Sequence, residues 1–388
     1  MDSSRPRILI AYATAGAGHR RAAEALADAA RRRWPDADVR CLDALAWTPG
    51  WYRSGYARLY LFLVRALPMC WKFSYRALDQ AAVFRCIQPF RRAWNRLIGY
   101  RMPAVLLAEQ PDVAVLTHFF PADLLGAART AGRLRAPVVV VVTDWHPHRL
   151  WLGARPDAVV VANQAGADRC VELGVPRERV AALGIPTVAA APLTETRRRA
   201  LRESLGLAHD RLTVLVTSGG TTVGRFADLV ERLLRLEAMV PGRLQLIVVC
   251  GDDARTTARL EAAAAAAPMP ARVFGFVHNM LDLMGTADLA VAKAGGLTVA
   301  EALACELPLV FYHAIPGQEE SNARYVARQG AGVIALGPEA AAEFVRHCAS
   351  SPELMAKLRT GARDAGRPNA ANDIIEQVVE PLLTPRNV

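Results

Sequence analysis

Three glycine-bearing stretches hold the residues of this chain best suited to chemistry. The first is Thr14-Ala15-Gly16-Ala17-Gly18-His19. Gly16 and Gly18 let backbone N–H groups approach a ligand, and a following helix N-terminus would favour negative charge there. His19 stands at the mouth of that helix. The positive end of the helix dipole favours neutral imidazole, which can accept a proton near neutral pH. A solvent-facing histidine that merely begins a helix fits the same residues. A dinucleotide fingerprint does not, because its third glycine falls on Arg21.

The second stretch, Ser218-Gly219-Gly220-Thr221-Thr222-Val223-Gly224, repeats the layout without the Gly-Lys-Ser/Thr of a Walker A loop. A plain flexible connection would look alike. The third runs from Lys293 through Ala294, Gly295, Gly296, Thr298 and Glu301 to Pro316-Gly317-Gln318-Glu319 and Asn322. Gly295 and Gly296 permit close approach to a diphosphate, with Thr298 at the helix start. A carboxylate at Glu301 accepts two hydrogen bonds side by side, as two ribose hydroxyls require. Thr298-x-x-Glu301 is also a capping box, which needs no ligand. Gln318, Glu319 and Asn322 fall on one face of the next helix start, suited to a polyhydroxyl sugar. An Asp-x-Asp that could hold a metal occurs at Asp36-Ala37-Asp38. It precedes the second strand, reads as a turn, and no metal or other cofactor is expected.

The elements that must position these residues alternate between short β-rich runs and helical stretches, the rhythm of βαβ units and parallel sheets. In the first half the strands are expected at Arg7–Tyr12, Asp38–Leu42, Val113–Thr117, Pro137–Thr143, Ala158–Ala162 and Val180–Leu183. The first crossover helix is expected over Arg20–Arg33, with Ala22, Leu26 and Ala29 inward. In the second half they fall at Leu212–Thr217, Leu244–Cys250, Ala271–Phe276, Leu289–Ala292, Pro308–Tyr312 and Gly332–Ala335. The division is a first domain at 1–188, interrupted by a helical insertion at 50–110, an Arg-rich linker at 189–210, and a second domain at 211–388. A last helix over Asn372–Leu383 packs back on the first domain. Two Rossmann-like α/β domains facing a central cleft are the simplest architecture, with ligands at the carboxyl ends of the strands.

At 388 residues and 52% hydrophobic, the chain can bury two full cores. No apolar run approaches the roughly 20 residues that cross a bilayer; Leu59–Val64 and Val138–Val142 are the longest. The N-terminus reads straight into a strand, so no signal peptide is expected. Seven singly placed cysteines make no CxxC or metal spacing and suit a reducing cytosol. Charge is uneven. Between Trp51 and Arg101 ten lysines and arginines face one acid, so this segment carries +9 of the chain's +10, with twelve of its 26 aromatics. Cations interleaved with aromatics suit an anionic membrane or a nucleic acid; an ordinary solvated basic face of a helical subdomain is the plainer reading. The membrane residues expected here include Trp51, Trp71, Arg91, Arg92 and Trp94.

Taken in order, these motifs resemble the monogalactosyldiacylglycerol synthase and processive diacylglycerol glucosyltransferase family. The family's members are metal-independent, inverting glycosyltransferases of the GT-B fold, related to the peptidoglycan lipid-intermediate N-acetylglucosaminyltransferase. Gly16-x-Gly18-His19 is similar to the family's Gly-Gly-His turn, which implies that His19 is the catalytic base. Thr143-Asp144 followed by His148 and Trp151 resembles its Thr-Asp…His-x-x-Trp stretch beside the acceptor cleft, and Gly184-Ile185-Pro186 its segment ending the first domain. In the second domain Ser218-Gly219-Gly220, Gly275-Phe276-Val277, Gly295-Gly296-x-Thr298-x-x-Glu301 and Pro316-Gly317-Gln318-Glu319-x-x-Asn322 follow its UDP-sugar site. The resemblance implies Phe276 and Val277 flanking uracil, Glu301 on the ribose, and Gln318 and Glu319 on the hexose. Relatives often carry an acid where this chain has Thr221-Thr222. The implied partners are a UDP-sugar donor, an anionic membrane surface and a lipid acceptor such as diacylglycerol. No nucleic acid is expected, and the place of work is the inner face of the cell membrane, reached as a peripheral protein. The sequence leaves open a UDP-sugar 2-epimerase of similar fold, a catalytically inactive membrane- or nucleic-acid-binding protein, and the oligomeric state.

Overall fold

Valine, isoleucine and leucine runs bounded by polar turns form every strand expected of them, with ends shifted by one or two residues. The computed structural model describes residues 5–14, 17–153, 155–188, 192–219, 225–315 and 317–383, without the side chains of 17, 57, 60, 61, 65, 107, 127 and 130. Gly16 and Gly220, expected in two of the ligand loops, lie outside the described residues, as do Thr221, Thr222 and Pro316.

The chain divides into two compact units. One comprises residues 1–189, 316–318 and 369–388; the other comprises 190–315 and 319–368. In the first, β1 (Arg7–Tyr12), β2 (Asp38–Asp43), β3 (Val113–Leu116), β4 (Val138–Val141), β5 (Ala158–Val161) and β6 (Val180–Ala182) form one parallel sheet in the order β2-β1-β3-β4-β5-β6. Alternation along each strand sends side chains to opposite faces. Ile8, Ile10, Val113, Val115, Val139 and Val141 meet Ala23, Leu26 and Ala30 of α1 (Ala17–Arg33), whereas Leu9, Ala114, Leu116, Val138 and Val140 face the other core.

The insertion is three helices, α2 (Gly50–Ala66), α3 (Pro68–Asp79) and α4 (Ala81–Ile98), followed by α5 (Met102–Ala108); α6 (Phe119–Thr130) begins just after β3. The C-terminal stretch from Ala370 to Leu383 joins the first unit, its middle turn a π-helix at Ile375–Val379. Ile374 and Ile375 enter the α1 core, and Arg33 ion-pairs with Glu380 at 2.5 Å.

In the second unit β7 (Leu212–Thr217), β8 (Leu244–Val249), β9 (Ala271–Phe274), β10 (Leu289–Lys293), β11 (Leu309–His313) and β12 (Gly332–Ile334) make a parallel sheet in the order β12-β11-β10-β7-β8-β9. Phe226, Leu229, Val230 and Leu233 of helix Phe226–Arg235 cover one face. The stretch expected as a linker folds differently: Glu195–Ser204 is a helix of this unit, capped by Thr194. Two of its four arginines are structural. Arg198 and Arg202 both bind the carboxylate of Asp288, Arg202 at 2.7 Å, and Arg202 also donates to the carbonyl of Thr286 at 3.1 Å. Charge that looks solvated in the sequence is thus spent on a partner 86 residues downstream.

Both strand orders contain a switch point, between β1 and β3 in the first sheet and between β7 and β10 in the second. In open α/β sheets ligands bind beyond the carboxyl ends of the strands at such points. His19 follows β1, Ser218-Gly219 follows β7, and Gly295-Gly296 follows β10. The topology therefore puts the three glycine stretches where a ligand is received.

Candidate functional site

At the first switch point α1 starts at Ala17, earlier than expected, so His19 lies in its first turn. Thr14 is pinned to Asp43 at the end of β2, its Oγ1 donating at 2.7 Å and its N–H at 3.2 Å. The imidazole of His19 faces the end of β3: Nδ1 lies 2.9 Å from the carbonyl oxygen of Thr117 and 2.8 Å from Oγ1 of Thr143. The hydroxyl of Thr117 donates back to the carbonyl of His19 at 2.9 Å. Strand β4 ends at Val141 rather than at Thr143, which frees Thr143 to turn toward the ring. Burial lowers the pKa of His19 below the ordinary histidine value, with Asp144 and the Thr117 carbonyl opposing. The imidazole is thereby held in its neutral, proton-accepting form.

Around it lies an aromatic floor. His118 meets His19 edge-on, with 4.6 Å between centroids, and Phe119 stacks on His118 at 4.1 Å. Trp151 lies 6.0 Å from His19 and donates its indole N–H to Asp144 Oδ2 at 2.9 Å. His118 accepts the N–H of Phe120 at Nδ1, and burial, aided by His19, holds its pKa well below the ordinary value. Nothing in the sequence singled out Thr117 or His118, because only their place after β3 brings them to His19.

Asp144, His148 and Trp151, expected beside an acceptor, are all buried. His148 uses both nitrogens within the protein: Nε2 donates to the carbonyl of Tyr75 at 2.9 Å and Nδ1 accepts the N–H of Leu150 at 3.1 Å. It braces α3 against the segment after β4. Gln318, grouped with the first unit, donates its amide to Asp144 Oδ1.

At the second switch point Gly219 adopts φ +70°, a conformation glycine takes without strain. A Cβ at Gly219 would sit 3.3 Å from Cε of Lys293. That buried lysine ends β10 and places a cation at the switch point. The sequence displayed it beside the glycines but gave no distance to Gly219. Ser218 is fully buried and donates to the carbonyl of Cys250 at 3.1 Å. Strand β9 ends at Phe274, so Phe276 stands 61% exposed beside His278, with half-buried Val277 next to it. An aromatic ring left in solvent on a strand-end loop can stack on a flat base.

The helix itself bears on the capping-box reading of Thr298 and Glu301. Helix Gly296–Ala304 has Gly295 as its N-cap, with no side-chain cap bond, so Thr298 lies inside the first turn and no capping box forms. Glu301 follows one turn later, 3% exposed. The next helix, Gln318–Arg328, spends two of its expected sugar-binding groups on local structure. Glu319 accepts the N–H of Ile315 at 2.8 Å, and Asn322 donates to the carbonyl of Ala294 at 2.8 Å. Burial raises the pKa of Glu319, with Lys293 and the Ile315 N–H opposing. These two residues shape the loops after β10 and β11.

The insertion separates into two faces. Trp51 and Trp94 meet at 6.5 Å and are 63% and 48% exposed; Phe62, Phe73, Phe90 and Leu97 are also exposed. Arg92 lies in solvent. Arg91 does not: it pairs with Asp123 of α6, with only 14% of its side chain exposed. Trp71 is half-buried, its ring 6.1 Å from Tyr75. The expected surface set thus loses Arg91 outright and Trp71 in part. Among the described residues no helix is long and apolar enough to cross a membrane.

Comparison with known proteins agrees with this geometry. Residues 19–187 match the monogalactosyldiacylglycerol (MGDG) synthase family model and residues 213–365 the glycosyltransferase family 28 C-terminal domain. Monogalactosyldiacylglycerol synthase 3, chloroplastic, of Arabidopsis thaliana is 28% identical over 381 residues, 96% of this chain and 80% of that protein. The processive diacylglycerol beta-glucosyltransferase of Bacillus thuringiensis is 27% identical over 280 residues, 72% of this chain and 70% of that protein. Among solved structures, Acinetobacter baumannii MurG superposes with a TM-score of 0.61 at 19% identity, covering 97% of this chain and 99% of that one. The UDP-GlcNAc 2-epimerase of Neisseria meningitidis, bound to UDP-GlcNAc, gives 0.62 at 11%, covering 96% and 100%. Such distant structural likeness speaks for the fold alone.

Two parallel-sheet α/β units with these neighbours define a GT-B protein. Its first half carries the domain of the monogalactosyldiacylglycerol synthase family and its second half the glycosyltransferase family 28 C-terminal domain; the protein is a glycosyltransferase.

Proposed function

We propose that the protein transfers a hexose from a UDP-sugar to diacylglycerol at a membrane surface, with inversion at the anomeric carbon. The observation that carries this reading is His19 at the β1–β3 switch point, its Nδ1 engaged by Thr117 and Thr143 and its imidazole neutral. Nε2 then takes the proton of the acceptor hydroxyl as the oxygen bonds the anomeric carbon and UDP leaves with the bonding pair. In the second unit, Phe276 and Val277 flank uracil and Glu301 accepts the ribose hydroxyls. The diphosphate faces Gly295, Gly296 and Lys293. Helix N-terminal N–H groups and that cation stabilise the leaving group without a metal. The family relatives named for diacylglycerol support the acceptor.

The exposed aromatics of α2–α4, with Arg85, Arg92 and Arg96, dock the protein on the anionic inner face of the cell membrane as a peripheral protein. The test is UDP release by the purified chain, with UDP-glucose, UDP-galactose or UDP-N-acetylglucosamine, in the presence and absence of vesicles holding diacylglycerol. Mass spectrometry then identifies the glycolipid. Turnover of donor without lipid, giving a sugar epimer, would establish the epimerase reading instead.

A further inference from the structure

We propose that Thr143 is a positioning residue that, together with the main-chain carbonyl of Thr117, holds His19 as the tautomer whose Nε2 carries the free lone pair. The proposal rests on the reading of His19 as base and adds how the chain prepares it. A carbonyl oxygen can only accept, and that of Thr117 lies 2.9 Å from Nδ1, so Nδ1 carries the proton. Oγ1 of Thr143, 2.8 Å from the same nitrogen, accepts from the same N–H in a forked bond. The other tautomer would set two lone pairs against each other at these distances.

The clamp is built into the sheet. Strands β3 and β4 are neighbours, with Leu116 opposite Val140, and the two threonines leave their carboxyl ends side by side. Both are buried, Thr117 completely. Packing alone does not call for a hydroxyl at 143, since valine has the same shape and occupies the five preceding positions. Thr117 fixes the other end of the residue as well, through its hydroxyl on the His19 carbonyl. During transfer Nε2 receives the acceptor proton while Nδ1–H stays on both oxygens, so the ring need not reorient as it becomes an imidazolium. The ionisable groups that face it are Asp144, from the segment after β4, and His118, from the β3–α6 junction.

The experiment uses the full chain and the variants Thr143→Val, Thr143→Ser and His19→Ala. Nitrogen-15 spectra of histidine-labelled protein near neutral pH, with the His19 signals assigned by their loss in His19→Ala, should show a protonated Nδ1 and a bare Nε2 in the parent. Thr143→Val leaves the Thr117 carbonyl alone on Nδ1–H, so the variant should show a larger minority of the other tautomer than the parent and a kcat lower by about 5–10-fold, the worth of one hydrogen bond. The KM for the UDP-sugar should not move, and serine should restore kcat. A parent His19 protonated at Nε2, or a valine variant with the parent's tautomer and kcat, overturns the proposal even where His19→Ala is inactive. Full activity of His19→Ala instead overturns the base reading, and the positioning role falls with it. Because the parent's tautomer is itself a readout, a valine variant that failed to fold would still leave the proposal testable.

Discussion

Arg91 of α4 and Asp123 of α6 form a buried ion pair, Nη2 donating to Oδ1 at 2.8 Å while Asn95 donates to Oδ2 at 2.8 Å. Gly153 closes over the carboxylate, where any Cβ would collide with Asp123 Oδ1. One carboxylate therefore ties the insertion to the helix that follows Thr117 and His118.

This relationship separates two roles for neighbouring arginines. Arg91→Ser should destabilise the fold by about 3–5 kcal/mol, as removing one partner of a buried pair does. Burial already raises the carboxyl of Asp123 to about 6 against the pull of Arg91. Without Arg91 the carboxyl is raised further, so the variant's loss should be largest at high pH and shrink as pH falls toward about 6, its carboxyl having already taken up a proton. Changing exposed Arg85, Arg92 and Arg96 to serine should leave the melting temperature alone and weaken sedimentation with anionic vesicles. Binding should fall with salt, since screening acts over roughly 8 Å at physiological strength. It should not vanish while Trp51, Phe62, Phe90 and Trp94 remain. Equal vesicle binding by parent and triple variant would make the insertion an ordinary helical subdomain.

His19→Ala should lower kcat by about 10²–10⁴, the usual worth of a positioned base, with UDP affinity unmoved. Burial lowers the pKa of His19, so the unprotonated base persists below the ordinary value of about 6.5. The acid limb of kcat in the parent should accordingly lie below that pH. Steady-state UDP release across pH checks both; an acid limb above about 6.5 would contradict the assignment.

Glu301→Gln should weaken UDP binding by about 1.5–3 kcal/mol, the range for hydrogen bonds to a charged group. Titration calorimetry gives the affinity, and melting without ligand gives the control. Weaker UDP binding at an unchanged melting temperature would assign the carboxylate to the ligand. A variant that melts early yet binds UDP normally would assign Glu301 to the fold.

Activity should survive EDTA. Asp38 opens β2 and Asp36 precedes it in a turn, at the amino end of the sheet and away from the switch point. A rate that collapses with chelator and returns with Mn²⁺ would overturn this.

The strands, the two-sheet architecture and the positions of the glycine stretches after their strands were legible because each depends on local pattern. β-branched runs fix strands, glycines mark where backbone must approach a ligand, and a histidine after the first strand announces itself by type and place. The motifs at His19 and Gly295–Glu301 also sufficed to read the family. What could not be read was partnership between distant residues. Thr117 and Thr143 meet His19 only because β1, β3 and β4 lie side by side, across 98 and 124 residues of chain. Arg91 looks like Arg92 until α6 brings Asp123 beneath it, and Arg198 looks like Arg197 and Arg199 until Asp288 folds against it. Charge and hydrogen-bonding capacity are written in the sequence. Whether a group faces water, a ligand or a buried counter-charge is decided by strand order and helix packing, because burial decides what a charge is worth and only the tertiary fold sets burial.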